Sequence, residues 1–177
     1  MTEMEFEKAC RGTSLPVSSE YAWGSTAITS ATGFINGGLA NEAVVNAGAN
    51  SCIGGLTSGP LRVGIFAGTN TTRSQAGATF YGAMEFSGNV WERAISLLSS
   101  EGRLFTGLHG DGTLNSVGEA NVLSWPANLT GIGQGLKGGA WIDGGLINLG
   151  ISDRGFVLQP YAERFRNVGG RGGRSAP

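Results

Sequence analysis

The chain is poor in the residues that most often carry chemistry. Histidine occurs once among 177 residues, and cysteine occurs twice. His109, in the loop sequence G-L-H-G-D-G, stands beside Asp111 and invites a metal reading. A single imidazole cannot build an imidazole centre, however, and a loop histidine that only hydrogen-bonds is the simpler account. Cys10 and Cys52 allow one disulfide without requiring it, and two reduced structural thiols serve equally. A Ser-His-Asp hydrolase would have to use His109, yet no G-x-S-x-G turn stands at a strand–helix junction. Charge is also scarce: charged residues are 14% and the net charge is −1, which gives no electrostatic preference for nucleic acid or an anionic membrane. No apolar run reaches membrane-spanning length, so membrane insertion is not expected. The first residues are charged and helical rather than a secretory signal.

Glycine, in contrast, is abundant at 32 residues, and it follows no period, which excludes collagen. With a hydrophobic content of 40%, disorder is excluded too. A loop-rich single domain over residues 1–177, with a real core, is the expectation. Thr2-Glu3-Met4-Glu5 forms a capping box that opens a short helix with an apolar face of Phe6, Ala9 and Cys10, and Gly12 ends it. Residues 61–67, L-R-V-G-I-F-A, alternate and predict a strand or an extended segment. Residues 104–108 read as a further extended piece. Asn70 and Asn128 each begin a glycosylation sequon, both read as accidental without a signal peptide. The glycines at 131, 133 and 135 suggest a dinucleotide loop, but no helical pattern follows and the reading fails. Trp23, Trp91, Trp125 and Trp141 read as core residues whose indole N–H groups need partners.

The most informative stretch is residues 82–93, G-A-M-E-F-S-G-N-V-W-E-R, which has neither the helical nor the strand period. It predicts a tight turn that delivers Trp91 into a core and then starts a strand over residues 93–98. A second stretch of the same style, L-K-G-G-A-W, occurs at residues 136–141, and residues 169–174 read G-G-R-G-G-R. In that order the three resemble the formylglycine-generating-enzyme (sulfatase-modifying factor) type of C-type lectin fold, whose members carry M-x-G-N-V-W-E, R-G-G-x-W and a closing G-x-R-G-x-R or G-F-R. The resemblance runs from residue 2 to residue 177. The helix of residues 2–12 resembles a family segment that is internal in the family, with strands before it.

The resemblance implies an α+β, C-type-lectin-like fold with few helices, short twisted strands and long ordered loops. It also implies calcium at the central turn as a structural ion, between Glu85 and Glu92, with the carbonyls of Gly88 and Val90 completing an all-oxygen shell. The alternative is that Glu92 caps backbone amides. The family's oxidases hold copper on two cysteines in the C-terminal third, and this chain has no cysteine after Cys52, so no copper and no oxidase chemistry are expected. An oxidase-like or other catalytic member of the family is the alternative function.

What remains is binding. The family includes the variable proteins of diversity-generating retroelements, in which a reverse transcriptase rewrites adenines in the last part of the gene, so that a fixed backbone displays changing side chains. Residues 138–174 are the corresponding region. Within it, Ile142, Asp143, Gly145, Leu146, Asn148, Gly155, Phe156, Val157, Leu158, Tyr161, Phe165 and Asn167 all belong to the set that mutagenised Asn codons can encode. Gln159 and Glu163 do not. The expectation is an exposed binding face for an unknown protein or surface ligand, held by Trp141, Ile151, Arg154, Arg171 and Arg174. The trio at 156–158 also reads as a buried strand, and an ordinary loop of a fixed-sequence lectin-like protein remains the plain alternative. No localisation follows beyond synthesis in the cytoplasm, with association with a virus or phage, or display through a partner, among the options.

Overall fold

The computed structural model describes residues 1–106, 113, 115–117, 131–159 and 163–172. His109, Trp125, Asn128, Tyr161 and Arg174 lie outside the described residues.

The architecture is α+β, with helix α1 (Glu3–Arg11) and two small sheets among the described residues. The capping box forms: the Glu5 amide donates to Thr2 Oγ1 at 3.2 Å, and the Thr2 amide donates to Glu5 Oε2 at 2.7 Å. Gly12 closes the helix, its amide bonding the Lys8 carbonyl. The stripe that α1 buries is Glu3, Phe6, Glu7 and Cys10, so two carboxylates sit among the apolar positions that the sequence made visible.

The smaller sheet is a ribbon of β1 (Phe34–Ile35) and β2 (Ala43–Val44), paired antiparallel. The larger has β3 (Trp91–Ile95) at its centre, β4 (Gln134–Lys137) antiparallel on one side and β5 (Val168–Gly170) parallel on the other. Strand β3 therefore begins two residues earlier and ends three residues sooner than the expected 93–98. Residues 61–67 are turns rather than a strand. Their alternation has another cause: Leu61 and Ile65 are buried while Val63 is exposed, and the Leu61 amide and carbonyl both bond the Asn89 side chain instead of a neighbouring strand. Of the expected extended piece at 104–108, Leu104 ends a 3-10 turn over residues 102–104, and residues 107–108 lie outside the described residues.

The turn at residues 84–90 gathers distant segments. The Ala22 amide donates to Ser87 Oγ, which donates in turn to the Leu149 carbonyl. Ser51 Oγ donates to the Ser87 carbonyl, and the Asn89 amide to Cys52 O. The Gly88 amide donates to Gly138 O at 2.7 Å, and the Trp141 amide to Asn89 O at 2.8 Å. Those last two bonds join the first Trp motif to the second. The first of these joints requires glycine at both ends. Gly88 has φ +93°, and a Cβ there would lie 2.5 Å from Ser51 Oγ. Gly138 has φ +91°, and a Cβ would lie 2.5 Å from the Phe86 carbonyl.

The core is built on both faces of the larger sheet. On the α1 side, Phe6, Cys10, Tyr21, Trp23, Phe86, Leu149 and Ile151 pack together. On the other side, Trp91, Leu136 and Ala140 are joined by Phe156 and Val168. A third cluster places Trp141 with Cys52, Leu61 and Phe66. Cys10 and Cys52 are buried, unpaired thiols. No helix among the described residues is long and apolar enough to cross a membrane.

Candidate ligand-binding face

Strand alternation divides the chemistry of β3 in two. Glu92 and its partner in register, Lys137, point toward α1, while Trp91, Arg93 and Leu136 point the other way. On the α1 side the charges of Glu92 and Lys137 are both answered. Arg171, just past β5, donates from Nε to Glu92 Oε1 at 2.7 Å and from its terminal nitrogen to Met84 O at 3.0 Å. Its guanidinium stands 4.3 Å from the Phe86 ring centre. Lys137 Nζ donates to the carbonyls of Ile151 and Asp153 and lies over the Phe6 ring. Arg154 bridges Glu3 at 2.9 Å and Glu7 at 2.7 Å, and Arg11 pairs with Glu20 at 2.6 Å. Burial raises the pKa of Glu92 and lowers that of Lys137.

These contacts place the expected framework residues. Trp141 and Ile151 are buried, and Arg154 and Arg171 are tied through ion pairs. The indole of Trp23 donates to Ala27 O, and that of Trp91 lies near the Asp143 carboxylate. The Trp141 indole nitrogen is buried with no partner among the described residues.

The central turn does not fit a calcium ion. Glu85 and Glu92 are both buried, and each keeps one oxygen without a partner among the described residues. The positive charge beside them, however, is the Arg171 guanidinium, already on Glu92 Oε1. Burial raises Glu85 to a pKa of about 7, although it accepts the Gly64 amide and lies near Arg171. A carboxylate already paired with arginine is a poor donor to a hard dication. The backbone around Gly88 and Val90 is used differently as well: the Gly88 amide bonds Gly138 O, and Gly88 packs on Ser51 and Cys52.

On the opposite side of the sheet the surface opens into a cavity of about 280 Å³ lined by Trp91, Leu136, Asp143, Phe156, Phe165, Asn167 and Val168. Four of the twelve candidate contact positions meet there: Asp143, Phe156, Phe165 and Asn167. The Phe156 ring packs on Trp91 with centroids 4.9 Å apart, so it is half-buried rather than free. Asp143 accepts the Ala140 amide at 2.9 Å, and the side chains of Trp91 and Asn148 lie close enough to favour its charged form. Burial raises its pKa.

The other candidates scatter. Ile142, Gly145, Leu146, Gly155 and Leu158 are exposed, and Asn148 is half-buried. Leu146 joins Val17, Tyr21 and Ile147 around a second cavity of about 540 Å³ on the α1 side. Val157 departs from the expected exposure: it is 1% exposed. The reason is local. The Leu136 amide bonds Phe156 O, so residues 156–157 run along the edge of β4, and Gly135 has no side chain to hold that backbone off. The expected exposed trio thus divides into a half-buried, a buried and an exposed residue.

Sequence reasoning put Trp91 in the core and did not see it as a cavity wall. Leu136 and Val168 were not singled out, although their register beside Trp91 follows once β4 and β5 are paired with β3. Compared with protein-family models, with curated proteins and with solved structures, the chain matches none.

Proposed function

We propose that this chain is a non-catalytic binding protein of the C-type-lectin-like, formylglycine-generating-enzyme type, whose C-terminal face contacts a protein or surface ligand. Within that reading it is a variable protein of a diversity-generating retroelement, with residues 138–174 carrying the diversified positions. The observation that supports this best is the convergence of Asp143, Phe156, Phe165 and Asn167 on one open cavity, while Arg154 and Arg171 fasten the same segment from the far side of the sheet. Such a division lets contact residues change while the anchors stay. Aromatic side chains supply contact area at low entropic cost.

The test is genetic and biophysical together. Sequencing around the gene should reveal a reverse transcriptase and a near-copy of the 3′ end that differs at adenines. Libraries at the exposed candidate positions should retain cooperative unfolding in most members. A locus without the repeat, together with libraries that mostly fail to fold, would reject the reading. Catalytic turnover of a sulfatase-derived cysteine peptide by the purified protein would favour the oxidase instead.

A further inference from the structure

The cavity beside Trp91 contains a charge without a counter-charge. The groups that favour the Asp143 carboxylate are all neutral: the Ala140 amide, which donates to it, and the nearby side chains of Trp91 and Asn148. None of the ion pairs among the described residues reaches it. Of the guanidinium groups on the adjoining segments, the exposed Arg164 makes no ion pair with Asp143, and three others are engaged elsewhere. Arg93 is on Gln134 and the Glu163 carbonyl, Arg166 lies over the Trp141 ring, and Arg171 is on Glu92. A partly buried carboxylate that lacks a cation costs free energy, and a ligand bringing one would recover part of it.

The walls suit the same guest. Trp91, Phe156 and Phe165 bring three aromatic rings to one cavity, and the negative faces of such rings attract ammonium and guanidinium groups. Leu136 and Val168 add apolar surface for an alkyl stem. A neutral guest would leave Asp143 more desolvated and still unpaired, and an anionic guest would meet like charge. A volume of about 280 Å³ holds one long side chain rather than a folded segment.

We propose that this cavity receives the cationic end of an arginine or lysine side chain from a protein partner, with Asp143 pairing the head and the aromatic rings flanking the stem. The inference rests on the reading of this surface as a binding face and adds its ligand class. Because Asp143, Phe156 and Phe165 are themselves candidate diversified positions, the preference belongs to this version of the face, whereas Trp91 belongs to the scaffold.

The full chain is titrated with acetyl-arginine amide and acetyl-lysine amide, with acetyl-glutamine amide and acetyl-glutamate amide as neutral and anionic controls. The readout is the Trp91 indole N–H resonance, since Trp91 and Asp143 line the same cavity. It is assigned by its loss in Trp91→Phe or, should that variant not fold, by its contacts with the Phe156 ring. The cationic amides should move it along a saturating curve, in the millimolar range fitting a single side chain. Asp143→Asn, which retains an acceptor and loses the charge, should weaken binding at least tenfold. A resonance unmoved up to about 100 mM, equal binding of the glutamine amide, or unchanged affinity in Asp143→Asn would each overturn the proposal. Binding of the glutamate amide alone would overturn the ligand class while leaving the binding face in place. Loss of folding on changing exposed Leu158 and Phe165 to Asn would instead strike at the face itself.

Discussion

The two sides of the larger sheet differ in how they treat charge and shape. Toward α1, Glu92, Lys137, Arg171, Glu3, Glu7 and Arg154 form a closed set of ion pairs and carbonyl bonds over the Phe6–Phe86 contact. On the other side, Trp91 and Phe156 border an open cavity and the Asp143 carboxylate is favoured only by neutral groups. One side specifies an arrangement of chain segments; the other is left for something outside the chain. Buried ion pairs add little net stability but penalise any rearrangement that separates them. An aromatic surface tolerates many guests.

The largest effect should come from opening the closed side. Arg171→Ala leaves the buried Glu92 carboxylate without its cation and should cost roughly 3–5 kcal/mol in urea denaturation. Adding Glu92→Gln should recover part of that loss, because the stranded charge is gone. Little loss in the single variant would mean that the two sides do not differ as described.

Next comes the pH dependence of the same side. Glu85 titrates at about 7 in the folded protein against a reference of 4.5. The folded state therefore holds its proton more tightly than the unfolded chain. Its contribution is fully present below pH 4.5 and is lost as pH rises through about 7. Over that window the loss is roughly 3 kcal/mol. Glu92, also raised by burial, adds in the same direction. Denaturation midpoints measured across the window should show a slope that flattens in Glu85→Gln, and an unaltered slope would count against the assignment.

A smaller contrast runs through the open side itself. Val157→Ala should cost about 2 kcal/mol, because Val157 is buried against the edge of β4. Phe165→Asn, at an exposed rim position, should change stability by less than about 1 kcal/mol. Similar costs for the two would erase the distinction between the buried backing of this side and its exposed lining. The smallest expected effect is that of metal: neither calcium nor a chelator should shift the melting temperature, because Arg171 supplies the positive charge at the turn. A rise of several degrees with calcium would restore the ion to that turn.

Local signals in the sequence were legible where the cause is local. Thr2 and Glu5 cap a helix within four residues, and the Gly-Asn-Val-Trp and Gly-Gly-x-Trp turns carry their requirement for glycine in the motif. The burial of Glu3 and Glu7 was not legible, because it depends on Arg154, about 150 positions away along the chain. The alternation at residues 61–67 misled for the same reason. It does not mark one buried face, since Val63 is exposed, and the partner of Leu61 is the Asn89 side chain rather than a strand. The face was legible in part. Asp143 and Phe165 reach the cavity, but the burial of Val157 follows from the path of the chain along β4, which periodicity does not encode.

The pairing of β4 and β5 to the same strand has a consequence for length. The chain leaves one side of β3 at Lys137 and returns on the other side at Val168, so the ends of the intervening segment are held roughly 10 Å apart, two strand spacings, whatever lies between them. Closing a loop across a fixed gap depends only weakly on contour length: doubling the number of residues adds about 0.6 kcal/mol. Insertions and deletions in the exposed parts of residues 138–167 should therefore be nearly as well tolerated as substitutions, so the segment has freedom in size as well as in side-chain identity.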